Sequence, residues 1–176
     1  LFTLMICMLI VGTMSKAQHK YSGVKACVMC HKTDKQGKQF DIWQKSEHSQ
    51  AYKTLTTDRA DSIAKAKGLK KAAAESNECL QCHVVGYDMS ASLVDKGFDY
   101  KDGVQCETCH GPGSGYKTMA VMKDRAKAVA SGLRLAKNEA EIEKMCRTCH
   151  NDKSPVFKGF KFEEMWGKIK HPKPKT

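Results

Sequence analysis

Apolar residues crowd the first fourteen positions and thin out sharply afterwards. Beyond them the pattern turns helical in short pieces. Phe40, Trp43, Ala51, Tyr52 and Leu55 recur at close to helical spacing across residues 39–55. Residues 58–69 read as a polar helix stopped near Gly68, and residues 116–133 as one helix ending at Gly132. Residues 138–150 open with acidic side chains that suit a helix N-terminus. Residues 161–172 form a last short helix, stopped by Pro172. Residues 86–103 and 154–160 read as loops, and the "GPGSG" of 111–115 as a tight turn. No run alternates as a strand does, and no linker marks a second domain. The pattern predicts a mainly α fold, short helices joined by long loops, with little or no β.

The apolar opening run is shorter than the roughly 20 residues of a membrane-spanning helix. It closes on Ser15-Lys16-Ala17, a small-x-small sequence. Residues 1–17 are therefore expected to be a secretory signal, clipped at its N-terminus; an uncleaved anchor is the alternative. Cys7 lacks the small residues that precede a lipidated cysteine. Residues 18–176 then form one exported domain, periplasmic or beyond, with no stable membrane span once the signal is cut. Its peptide core is thin, since only 7% of residues are aromatic and 28% are charged.

What fills that core is suggested by the cysteines. Eight of the nine fall in four copies of Cys-x-x-Cys-His: Cys27, Cys30 and His31; Cys79, Cys82 and His83; Cys106, Cys109 and His110; Cys146, Cys149 and His150. The copies follow no fixed period, which excludes a simple solenoid. Two thioethers from such a pair fix the vinyl groups of a haem, and the next residue coordinates its iron. Zinc in two four-thiolate sites leaves the histidines unexplained. At roughly one His in twenty-five residues, four coincidences have odds on the order of one in several hundred thousand. A disulfide framework explains the even count but neither the spacing nor the His. Four covalently bound haem c groups are expected, their flat apolar faces serving as the core. Export agrees, because bacteria attach c-type haem outside the cytoplasmic membrane.

The net charge of +11 does not point to nucleic acid. Lysines such as Lys65, Lys71, Lys123 and Lys170 are spread along the chain, and about eight haem propionates would offset much of the excess. The lysine-rich surface is expected to dock an acidic redox protein.

Each iron takes one ligand from its motif: His31, His83, His110 or His150. A six-coordinate electron-transfer site needs a second. The remaining histidines are His19, His48 and His171, three for four irons. His48 follows Trp43 on an amphipathic helix and His171 ends the last helix; both are expected ligands. His19 lies two residues past the expected cleavage point, and mobile termini make poor ligands. Met119 or Met122, on the helix after the third motif, is the alternative, while Met29, Met145 and Met165 read as core fillers. Either a methionine or His19 serves, or one iron stays open.

These stretches resemble the tetrahaem cytochrome c-554 family. The likeness is carried by "WQKSEHSQAY" after the first motif, "ECLQCHVVGY", "GVQCETCHGPGSGY", "CRTCHN" and the closing "KFEEMWGKIKH". It runs from about residue 25 to residue 171. The resemblance implies that His48 ligates the iron of the third motif and His171 that of the fourth. It implies a five-coordinate iron at the second motif, where nitric oxide can bind. For the first haem it implies a distal histidine about ten residues after the third motif. This chain has "GPGSGYKTMAV" there, with no histidine, and Met119 and Met122 fall nearest.

The expected function is electron carriage between redox partners through closely packed haems. One alternative is a haem enzyme acting on nitric oxide or another small nitrogen compound at the second haem, with Tyr87 and Asp88 in its distal pocket. Another is a subunit of an extracellular cytochrome filament in which neighbours share axial ligands. No Ser-His-Asp, paired-carboxylate or phosphate-loop constellation competes for a catalytic role.

Overall fold

The computed structural model describes residues 18–174. The expected signal segment, with Cys7, lies outside them. Ten short helices run in order: α1 (Val24–His31), α2 (Gln39–Gln44), α3 (Ala51–Thr54), α4 (Asp58–Ala66), α5 (Asn77–His83), α6 (Cys106–His110), α7 (Met119–Met122), α8 (Arg125–Ala130), α9 (Glu139–Cys146) and α10 (Phe162–Ile169). The fold is mainly α. Among the described residues the β content is one parallel bridge between Tyr21 and Val94, and no helix is long and apolar enough to cross a membrane.

Local chemistry explains why the helices are short. Thr57 caps α4 by accepting from the Ala60 amide, and Gly68, at φ 72°, ends it with a bond from Leu69 N to Ala64 O. Asn138 caps α9 through the Glu141 amide. The single helix expected over 116–133 is broken. Asp124 takes an extended conformation, its carboxylate accepts from the Lys127 amide, and α8 starts afresh. The stretch 39–55 divides likewise. Ser46 donates to Trp43 O and Ser49 to Gln44 O, so His48 sits in a 3-10 turn, Glu47–Gln50, between α2 and α3. The 111–115 turn contains the expected tight bend, a 3-10 turn at Gly113–Gly115.

The one packed apolar cluster joins Leu55, Ala64, Ala73, Leu80 and Val84, with Tyr52, Leu69 and Tyr87 against it. Only ten described hydrophobic residues are buried, and three of them are alanines. The chain exposes 13143 Å², whereas a compact 19.6 kDa protein exposes about 8,600 Å². Crediting residues 1–17 and 175–176 with a fully extended surface, roughly 3,000 Å², does not remove the excess. The peptide core of the described residues is small for a chain of this size.

Candidate haem-binding site

All four motifs form helical turns. The first closes α1, the second closes α5 and the third is α6. The fourth starts on the last residue of α9 and winds one turn further, with His150 N on Cys146 O at 3.0 Å. On a helix, positions i, i+3 and i+4 share one face, so each turn presents two sulfurs and an imidazole together. Three imidazoles are held through Nδ1: His83 on Ala51 O at 2.7 Å, His110 on Arg134 O at 3.1 Å and His31 on Gln39 Oε1 at 3.3 Å. A carbonyl at Nδ1 fixes the tautomer that leaves Nε2 free to bind a metal. Burial lowers the pKa of His110, and of His48 and His150, which favours the neutral, ligating imidazole.

The thiols differ in acidity. Burial pushes Cys82 and Cys109 up to about 11 and raises Cys79 and Cys146, whereas the neighbouring Cys27 thiol lowers Cys106. Among the described residues no three His, Cys, Asp or Glu side chains converge on a metal site. Zinc is thus disfavoured on geometry.

Two distal histidines face motif histidines. His48 and His150 have ring centroids 6.1 Å apart, and His110 and His171 5.9 Å. One metal between two imidazoles, with bonds of ~2 Å and ring radii of ~1 Å, requires about 6 Å. The residues therefore fit an iron ligated from both sides. The addresses, however, are exchanged relative to the resemblance: His48 stands against the fourth motif and His171 against the third. The cause is the return of the chain after α10. Gln39 Nε2 donates to Pro172 O at 3.0 Å, which lays the tail on α2 and carries His171 to α6. Phe160 backs His150, its ring stacked at 4.8 Å.

The motifs also meet one another. Cysteines of different motifs lie near enough to affect one another's acidity: Cys27 and Cys106, Cys82 and Cys149, and Cys109 and Cys146. Nearness thus runs from the first motif to the third, the fourth and the second.

The family model described as "Cytochrome c554 and c-prime" matches residues 26–111, across the first three motifs. A curated relative, cytochrome c-554 of Nitrosomonas europaea, is 26% identical over 186 residues, covering 90% of this chain and 77% of the relative. The chain is similar to the cytochrome c-554 family. It is a c-type cytochrome, an electron carrier that binds haem c covalently. No solved structure matches significantly.

In this cytochrome neither His31 nor His83 has a facing imidazole among the described residues. Met119 is 61% exposed, and Met122 is half-buried. His19 lies in an anchored segment, contrary to the mobile end expected. Lys20 N donates to Ser114 Oγ at 2.7 Å and Ser114 N to Lys20 O at 3.1 Å, and the His19 ring packs against Gly115 and Gly132. Tyr87 leans on the Leu80 cluster, with Asp88 in the loop beyond.

Sequence reasoning missed Gln105 and Glu107, the most deeply buried large side chains. Gln105 Oε1 accepts from Val24 N at 2.9 Å and its Nε2 donates to Asp99 O at 2.6 Å. Glu107 accepts from Ser22 N at 2.8 Å, Gly23 N at 2.7 Å and Gly113 N at 2.5 Å. Helix α1 has no side-chain cap of its own; Glu107 of the third motif and Gln105 just before that motif supply it. The available signal was a carboxylate inside a Cys-x-x-Cys pair.

Proposed function

We propose that this cytochrome carries four haems and passes electrons along them, in the order of the first, third, fourth and second motifs, between redox partners outside the cytoplasmic membrane. The observation that carries this reading is the pairing of His48 with His150 and of His110 with His171 at distances that fit one iron each, with cysteines of successive motifs near one another, because closeness of the haems is what rapid electron transfer requires. The haem irons supply the one-electron chemistry. The protein's share is to hold each attachment turn on a neighbour, to set the imidazole tautomers through Nδ1 and to aim His48 and His171 at His150 and His110. A lysine-rich surface suits an acidic partner protein, and an exported location suits the covalent haem. Residues 18–176 act as one domain in this reading.

Haem content by pyridine haemochrome, followed by a spectroelectrochemical titration, tests it. Four haems per chain and reversible waves, with faster reduction by an acidic donor at low salt than at high salt, support the reading. Fewer than four haems, or reduction indifferent to salt, would sink it.

A second reading is favoured by one observation, the oriented His83 that no imidazole faces. An iron held there with an open position would bind nitric oxide or another small nitrogen compound. Nitric oxide titration of the reduced protein, followed by a turnover assay, separates a passive site from an enzyme.

A further inference from the structure

Glu107 is 1% exposed. Both of its carboxylate oxygens are taken up as acceptors, Oε1 by Ser22 N and Gly113 N and Oε2 by Gly23 N and, at 3.1 Å, by Ser22 N. Every one of these contacts is an N–H donor, which a carboxylate accepts. The close approach needs Gly113, where a Cβ would come within 2.8 Å of Oε1. No Lys or Arg among the described residues forms an ion pair with this carboxylate. The Arg134 guanidinium reaches its backbone carbonyl, at 3.4 Å. Glu107 is therefore a buried carboxylate whose hydrogen-bond partners are all backbone N–H groups, with one cation nearby, and buried charges act strongly on their surroundings.

Its surroundings are the join of two motifs. Glu107 follows Cys106 in the chain and caps the helix that carries Cys27. We propose that Glu107 is a positioning residue and field source for the first and third motifs. It clamps the two attachment turns together, and its charge opposes the arrival of an electron at both, holding their potentials below those of the second and fourth. Nearby charge is one of the levers by which a protein sets the potential of a haem. The inference rests on the four-haem reading above.

The test is a spectroelectrochemical titration of haem-loaded variants, begun with a haem count. Glu107→Gln keeps the length and removes the charge: two of the four waves rise and two stay in place. Glu107→Asp keeps the charge and restores the low potentials. Arg134→Gln removes the neighbouring cation and lowers the same two waves, and it stands in should Glu107→Gln fail to load haem. A merely structural clamp would move the Gln and Asp variants together and leave Arg134→Gln unchanged. That result, or four waves shifting alike, overturns the inference while four haems still support the carrier. A count below four overturns both.

Discussion

The His48 ring faces the His150 ring across 6.1 Å, with planes 51° apart. The distance suits one metal between them and assigns His48 to the fourth motif. His48→Ala is expected to leave the haem content unchanged and to convert one low-spin iron to high spin, read by electron paramagnetic resonance. Combining it with Cys146→Ala and Cys149→Ala, which delete the fourth attachment, should cost no further low-spin signal. If it does cost one, while deletion of the third attachment does not, His48 serves the third motif after all.

Opening a coordination position should be countable. Carbon monoxide is expected to bind the reduced wild-type protein where His83 lacks a facing imidazole. His48→Ala and His171→Ala should each add one equivalent and the double variant two, since the two ring pairs share no partner. An unchanged stoichiometry in either variant would remove that histidine from the ligand set.

The anchor of the N-terminal segment should be acid-sensitive. Lys117 and Ser22 hydrogen-bond the Asp95 carboxylate and hold it below its usual range. A depressed carboxylate stabilises the fold above its unfolded pKa, near 4, and loses that contribution as pH falls through the folded value. The pair is partly solvated, so Asp95→Asn should cost about 0.5–1 kcal/mol at pH 7. The difference from wild type should shrink steadily in denaturant melts as pH falls below about 4. A constant difference across that range would refute the linkage.

Leu80 lies between Cys79 and Cys82 and is also in the one apolar cluster, 7% exposed. Leu80→Ala should destabilise the haem-loaded protein by about 2–4 kcal/mol. Denaturant unfolding followed at the haem absorption band measures it, and a loss under about 1 kcal/mol would mean that haem, not peptide, dominates packing there.

The four attachment motifs were legible because their chemistry needs fixed residue types at fixed spacing, and the helical stretches because periodicity is local. His48 and His171 were legible as candidate ligands, and each stands against a motif histidine. Their addresses were not, because an address depends on how a loop closes: the Gln39–Pro172 bond that delivers His171 to α6 joins residues no periodicity relates. The break at Asp124 was a cap hidden inside a helical pattern. Glu107 was the least legible, since a buried carboxylate and a surface one look alike in sequence until the backbone amides that hold it are known.

Helix α1 borrows its cap from a residue 84 positions later. A turn completed from so far along the chain cannot be finished by its own segment, and closing so long a loop delays it. Only when the third motif arrives can Glu107 and Gln105 complete that helix. The borrowed cap acts as a latch, tying the finish of the first motif's turn to the arrival of the third.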